Sequence, residues 1–255
     1  PAAAGGASAG AAGAAPPPPP TAPPLVRLKK FLFECHVESV EFIAPDTADR
    51  AEESAEDSAR DSVLVIAVAE SADLFHVALP AAADYSSSGS GGVPFEWRLR
   101  PLNLNARGDA HVSFSAMDLR RSPAGPGARS GRFLLVATDK GRVLLLRGGT
   151  TEVLRTFVGH TAGDLSHPRV AWSPCGRYAL SNTEESGTVY VWSVATARVV
   201  RRIGNEDASC RASHCHRSAV RSLDVAAAAD GTILLATCAF DKRAKVWVQA
   251  GYTKY

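Results

Sequence analysis

RVAWSPCGRYALSNTEESGTVYVW (residues 169–192) and HRSAVRSLDVAAAADGTILLATCAFDKRAKVW (residues 216–247) are two copies of one pattern within this 255-residue chain. Each copy consists of short apolar runs separated by turn residues, and each ends in Val-Trp. The closing Trp192 and Trp247 lie 55 positions apart. A His also recurs after 56 positions, as His160 upstream of the first quoted segment and His216 at the start of the second. A repeat of roughly 40–50 residues built from short strands is typical of the blades of a β-propeller.

Two weaker copies of the pattern precede the clear ones. We place the starts of the four copies at His36, His111, His160 and His216, and assign the copies approximately to residues 25–100, 101–158, 159–204 and 205–255. Alternating and β-branched apolar runs predict the strands, with a fourth strand in each connector. The predicted strands of the first copy are Leu28–Phe33, Val37–Ile43, Val63–Val68 and Leu74–Leu79, and the connector strands are Phe95–Leu99, Val153–Val158 and Val199–Ile203.

The composition favours an ordinary globular protein in a reducing compartment. The formal net charge is +2, so no global charge favours nucleic acid or an anionic membrane. No apolar run reaches the ~18 residues of a membrane span, and the N-terminus lacks the features of a signal peptide. Five Cys without regular spacing argue against a disulfide framework. We therefore expect an intracellular protein, cytoplasmic or nuclear.

The N-terminal segment differs from the rest of the chain. Residues 1–24 are almost entirely Ala, Gly, Ser and Pro, which predicts a disordered linker because such a segment buries too little apolar surface to offset its ordering entropy. We expect residues 25–255 to form the propeller. Because the chain begins at Pro1 rather than at Met, we also expect it to be part of a longer chain.

The clear copies resemble the WD-repeat β-propeller family. The resemblance rests on Gly159-His160, on Trp172-Ser173-Pro174-Cys175-Gly176-Arg177-Tyr178 with Val189-Tyr190-Val191-Trp192, and on His216 with Ala236-Thr237-Cys238-Ala239-Phe240-Asp241 and Val246-Trp247. It implies an all-β fold with about four recognisable four-stranded blades. Four is at the low limit of the ~4–8 blades of a propeller, and since the family most often has about seven, we expect this chain to form part of a larger ring.

In this family a His, a Ser or Thr, an Asp and a Trp form a buried hydrogen-bonded network in each blade. The resemblance places this network in the last copy on His216, Thr237, Asp241 and Trp247, and in the preceding copy on His160, Ser181, Trp192 and, as a substitute for the Asp, Glu185. The second copy keeps His111 and Asp139 but has Leu146 near the position of the Trp. We expect that blade to be held together by packing alone.

Three kinds of site compete with this structural interpretation. Cys210, His214, Cys215 and His216 are metal-ligand types, but they lie in one short loop without the paired spacing of a zinc site, so a polar surface loop is favoured. The His, Ser or Thr and Asp set could suggest a catalytic triad, but it recurs in two copies, as a structural network does and a catalytic site does not. Arg201-Arg202 could contact phosphate, although a solvated rim of mixed charge is the simpler interpretation.

We therefore predict a non-catalytic scaffold that docks proteins or peptides in a multiprotein complex, without a cofactor, a metal or a small-molecule substrate. Loops held on a rigid framework suit this role. The contact candidates next to the network His residues are Thr161, Asp164, Arg169, Arg217, Lys242 and Arg243. The alternative is an RNA- or chromatin-associated component with a basic rim.

Overall fold

A computed structural model describes residues 29–43, 63–79, 97–105, 114–123, 132–162, 167–183, 187–204 and 215–248 of this chain. The predicted linker, residues 1–24, lies outside these ranges. The chain divides into two compact units, Pro1–Leu32 and Phe33–Tyr255. All of the strands lie in the second unit.

Within the described ranges, fifteen antiparallel strands form four sheets in chain order. The first sheet contains β1 (Val37–Ile43), β2 (Val63–Val68), β3 (Asp73–Ala78) and β4 (Leu99–Asn103). The second contains β5 (Ala116–Arg121), β6 (Phe133–Thr138), β7 (Val143–Arg147) and β8 (Val153–Phe157). The third contains β9 (Val170–Trp172), β10 (Tyr178–Asn182), β11 (Val189–Ser193) and β12 (Val199–Ile203). The fourth contains β13 (Val220–Ala227), β14 (Ile233–Ala239) and β15 (Arg243–Val248).

Each sheet is a simple meander in which every strand pairs with the next one along the chain. Short turns make this possible, as in the β6–β7 hairpin, where Gly141 adopts a φ of +65°. A Cβ at this glycine would lie 2.9 Å from the carbonyl oxygen of His160, so only glycine fits both the backbone angle and the space.

The sheets pack face to face through three apolar clusters. Leu74 and Leu146 lie in the cluster between the first two sheets, Phe157 and Trp192 in the next, and Leu223 in the last. The first strands of successive sheets contact one another, β1 with β5, β5 with β9, and β9 with β13. Antiparallel meanders packed in this way are the blades of a β-propeller, which confirms the predicted all-β fold class.

Apart from shifts of one residue at strand ends, three features of the structure differ from the sequence prediction stated above. Residues 29–33 form no strand, so the strand predicted over Leu28–Phe33 is wrong across its described part. The fourth strand of the first sheet is Leu99–Asn103 rather than Phe95–Leu99, because pairing with β3 places Leu102 beside the buried Leu74. The fourth sheet has three strands, not four, among the described residues.

Candidate partner-binding face and its buried network

A hydrogen-bonded chain of four side chains crosses the fourth sheet. The indole Nε1 of Trp247 donates to the Thr237 hydroxyl at 2.9 Å. The same hydroxyl lies 2.9 Å from Nε2 of His216, and Nδ1 of His216 lies 3.0 Å from an Asp241 carboxylate oxygen. The structure therefore brings together all four residues that the family resemblance placed in this blade.

Only one arrangement of protons satisfies every atom of this network while the imidazole is neutral. A carboxylate can only accept, so Nδ1 of His216 must carry the proton that faces Asp241. Nε2 is then an acceptor, and the Thr237 hydroxyl donates to it while accepting from the indole of Trp247. Each buried polar atom is thereby paired, as burial requires, since His216 is fully buried.

The Asp241 carboxylate also organises the turn around it, which we call the Asp241 turn (residues 240–243 together with Arg217). It accepts the backbone N–H of Arg217 at 3.1 Å and the backbone N–H of Arg243 at 3.1 Å. Burial raises the pKa of Asp241, but the hydrogen bonds from Arg217, His216 and Arg243 outweigh this effect and hold the pKa below its ordinary value. The carboxylate is therefore charged at neutral pH.

Three cationic side chains project from the Asp241 turn. Arg217, Lys242 and Arg243 are all exposed, while the backbone at each is fixed. Two of them donate their N–H groups to Asp241, and Lys242 adopts a φ of +61° with its N–H bonded to the carbonyl of Ala239. The geometry presents positive charge on a turn that is anchored to the buried network.

The remaining contact candidates behave differently from these three. Thr161 is exposed, and its hydroxyl lies 3.1 Å from the hydroxyl of Thr183. Asp164 lies outside the described residues. The guanidinium of Arg169 is directed inward, with Nη1 3.6 Å from a carboxylate oxygen of the buried Asp118. Arg169 therefore joins two sheets, with 31% of its side chain still exposed.

The expected network of the third sheet does not form in the same way. The Trp192 indole donates to the carbonyl of Val158 at 2.9 Å, and the Ser181 hydroxyl donates to the carbonyl of Asn182 at 3.3 Å. Within the described ranges neither ring nitrogen of His160 has a hydrogen-bond partner, and Glu185 lies outside those ranges. In this sheet the donors of Trp192 and Ser181 each bond to a backbone carbonyl, whereas the resemblance placed both side chains in one network.

His160 instead serves as an aromatic packing group. Its ring meets Trp192 edge-on with the ring centroids 5.2 Å apart. Burial lowers the pKa of His160 from 6.5 to about 4, so the ring is neutral at physiological pH.

In the two weaker copies, no buried network is observed at the His position among the described residues. His36 is largely exposed and its Nε2 lies 2.7 Å from a carboxylate oxygen of Glu38, so it belongs to no buried network. His111 lies outside the described residues, while Asp139 accepts the backbone N–H of Ser115 at 2.8 Å. Leu146 is fully buried where the Trp would stand, in line with the expectation that packing holds this blade.

The family model described as the WD domain, G-beta repeat (WD40), matches residues 151–193 and 208–248. These two segments contain β8 to β11 and β13 to β15, including the network of the fourth sheet. These two segments are WD repeats. No curated protein matches it. Among solved structures, the computationally designed Ika4 protein is similar to it, with a TM-score of 0.47 and 16% identity over 85% of this chain and 92% of that one.

WD repeats generally serve as protein-interaction scaffolds and are typically non-catalytic. Among the residues that the structure describes, no group of three or more His, Cys, Asp or Glu side chains could hold a metal ion. Two of the four candidate metal ligands of the loop that ends at His216, namely Cys210 and His214, lie outside those residues. The described part of the chain also has no helix long and apolar enough to cross a membrane.

Sequence reasoning missed a second polar system, which we call the cross-sheet relay (Ser39, Asp118, Asn182 and the backbone they bind). Asp118 on β5 is buried, accepts the Ser39 hydroxyl of β1 at 3.1 Å, and accepts the Val170 N–H of β9 at 2.9 Å. Asn182 extends this series of hydrogen bonds to the fourth sheet. It accepts the Arg169 N–H and donates to the Val220 carbonyl of β13, both at 2.6 Å.

The relay therefore links the first strands of all four sheets with polar bonds. One sequence signal could have pointed to it: Asp118 interrupts the otherwise apolar start of its strand, Ala116-Met117-Asp118-Leu119. A carboxylate at such a position needs buried donors.

Proposed function

We propose that this WD-repeat protein is a non-catalytic scaffold that docks partner proteins in a multiprotein complex through the Asp241 turn. The observation that supports this is the set of three exposed cations, Arg217, Lys242 and Arg243, on a turn whose backbone is bonded to a buried carboxylate. The proposal assigns the turn a binding role and the network beneath it a supporting one.

The anchoring matters for binding because ordering a mobile loop reduces affinity. Asp241 is held by His216, which is held in turn by Thr237 and Trp247. A partner that contacts the turn would therefore lose little affinity to loop ordering. The resulting rigid loop on a β framework is the arrangement in which binding residues are commonly found.

The charge of the turn indicates the chemistry of the partner. Arginine forms bidentate hydrogen bonds with carboxylates, and lysine adds a mobile positive charge. We propose that the partner presents Asp or Glu side chains to Arg217, Lys242 and Arg243. Thr161, which lies near the corresponding end of the third sheet, is a further contact in this proposal.

The test compares the double variant Arg217→Glu/Lys242→Glu with the control Arg100→Glu, whose exposed side chain lies on the outermost strand of the first sheet. Each protein is used for affinity capture from its native extract at two salt concentrations, with and without nuclease. We expect a discrete set of proteins that survives nuclease, is lost with the double variant and is retained by the control. If the double variant keeps every captured protein, the proposed docking surface is wrong.

The same experiment addresses the alternative role in an RNA- or chromatin-associated complex. Arg201 and Arg202 are exposed on the outermost strand β12, where phosphate contacts would be expected. Capture that disappears with nuclease, or that falls steeply with salt, would favour this alternative.

A further inference from the structure

A groove of about 510 Å³ lies between the second and third sheets. We call it the rim groove. Its lining includes Arg132, Phe133, Leu154, Arg155, Trp172 and Cys175. Trp172 ends β9, and Cys175 lies in the β9–β10 turn, whereas the Asp241 turn lies beside the start of β13. The rim groove is therefore at the opposite end of the strands from the proposed docking turn.

The floor of the groove is apolar. Phe133, Leu154 and Val194 are partly buried against the cluster that joins the two sheets, and Leu145 lies beneath them. The Trp172 indole already donates its N–H to the carbonyl of Arg120 at 3.0 Å, so it offers its carbon surface to the groove. Covering this surface with an apolar side chain is favourable, because it removes apolar area from water.

The mouth of the groove is positively charged. The Arg132 guanidinium lies 5.8 Å from the Phe133 ring centroid. Arg155 donates from Nη1 to the carbonyl of Leu154 at 2.8 Å, which fixes one of the five N–H donors of its guanidinium. The exposed guanidinium of Arg155 therefore favours a ligand that carries an anionic group.

One wall of the groove is a sheet edge. Leu154 and Arg155 belong to β8, which pairs with β7 on one side and is the last strand of its sheet. An extended peptide can add to such an edge by backbone hydrogen bonds while its alternate side chains enter neighbouring pockets. The unpaired side of β8 therefore favours an extended peptide as the ligand.

We propose that the rim groove binds an extended peptide segment of a partner protein in which a bulky apolar side chain stands beside Asp or Glu. The apolar side chain covers Phe133, Leu154 and Trp172, and the carboxylate pairs with Arg155. The volume of the groove lies within the ~300–1,000 Å³ of ligand sites in general. This site goes beyond the proposed function, since it uses a different surface and does not depend on the Asp241 turn.

Cys175 provides a reporter within the groove. Partial burial raises the pKa of this thiol, but hydrogen bonds from Ser173 and Arg177 and the charge of Arg177 outweigh the effect and lower the pKa. The thiolate is the reactive form, so Cys175 should be alkylated readily by iodoacetamide. Cys238 on β14 is also exposed and lies outside the groove, which makes it an internal control in the same chain.

The first step of the test is to select binders to the whole chain from a random-peptide phage library. We expect the selected peptides to share an apolar residue next to Asp or Glu. A synthetic copy of one selected peptide, and a second copy with Asn or Gln replacing the acidic residue, are then titrated by calorimetry. The neutral copy should bind about tenfold more weakly, the effect of losing a well-placed charge pair.

The second step locates the site. Arg155→Glu should weaken binding of the peptide by about tenfold, because the substitution turns attraction into repulsion. Arg243→Glu, at the other end of the strands, should leave it unchanged. The bound peptide should also slow alkylation of Cys175 but not of Cys238, as measured by mass spectrometry of the two cysteine peptides.

Several results would overturn the proposal. They are a selection that gives no binder, selected peptides without an acidic residue, unchanged binding to Arg155→Glu, or an unchanged rate at Cys175. If binding were lost with Arg243→Glu instead, the peptide would belong to the Asp241 turn, and the rim groove would have no ligand of this class.

Discussion

Replacing Thr237 with Val tests whether the network of the fourth sheet contributes to stability. Valine has nearly the shape of threonine but lacks the hydroxyl, so Nε2 of His216 and Nε1 of Trp247 both lose their partner. A buried polar atom left unsatisfied costs about 1–3 kcal/mol. His216 is fully buried whereas Trp247 is partly exposed, so we expect a loss of about 2–4 kcal/mol in the free energy of unfolding.

The third sheet offers a matched control at the corresponding position of the repeat. The Ser181 hydroxyl bonds only to the carbonyl of Asn182, at 3.3 Å, among its described contacts, and Trp192 uses the carbonyl of Val158 instead. Ser181→Ala should therefore cost about 0.5–1 kcal/mol, the value of one weak hydrogen bond. Thr237→Ser, which keeps the hydroxyl, should lie much closer to the wild type than Thr237→Val.

The measurement is urea unfolding followed by tryptophan fluorescence, with the free energy and the slope fitted for each variant. For a chain of this size the loss at Thr237→Val corresponds to a fall in Tm of roughly 5–15 °C. The reasoning is refuted if Thr237→Val and Ser181→Ala differ by less than about 0.5 kcal/mol, the usual scatter of surface substitutions.

Three further predictions concern other buried groups. Burial lowers the pKa of both His160 and His76 from 6.5 to about 4, so the unfolded chain binds these protons first, and stability is full above pH 6.5 and decreases as the pH falls towards 4. His160→Phe should remove the contribution of His160 and make this decrease smaller in urea titrations across that range. Asp118→Asn should cost about 1–3 kcal/mol, since it removes the charge that Val170 and Arg169 face, and the midpoint of urea unfolding measures it. Gly187→Ala should lower Tm, because a Cβ at Gly187 would overlap the backbone of His216; a Tm equal to that of the wild type in calorimetry would contradict the close packing there.

The repeated part of the fold could be predicted because its information is local. The strands Val37–Ile43, Val63–Val68 and Val199–Ile203 agree with the prediction to the residue, since apolar runs between turn residues leave little freedom. The strand at Leu99–Asn103 could not be placed in the same way. Its position depends on pairing with β3, and the register of a pair is set by both partners.

The same contrast holds for the polar groups. The spacing of His216, Thr237, Asp241 and Trp247 follows the family pattern, and in the structure these side chains lie within hydrogen-bonding distance of one another. Ser181 matches the pattern equally well, yet the donor of Trp192 bonds to a backbone carbonyl. Every residue has a carbonyl, so the sequence cannot mark which one will accept.

The cross-sheet relay has a consequence for how the four sheets are ordered. Each junction is matched by different groups: Asp118 joins Ser39 to Val170, whereas Asn182 joins Arg169 to Val220. A third sheet exchanged with the fourth would leave Asp118 the Ser39 hydroxyl but would remove the guanidinium of Arg169, because Ala219 stands at the matching position before β13. Repeats with similar sequences thus make different polar contacts with their neighbours, and these contacts favour stacking of the sheets in chain order.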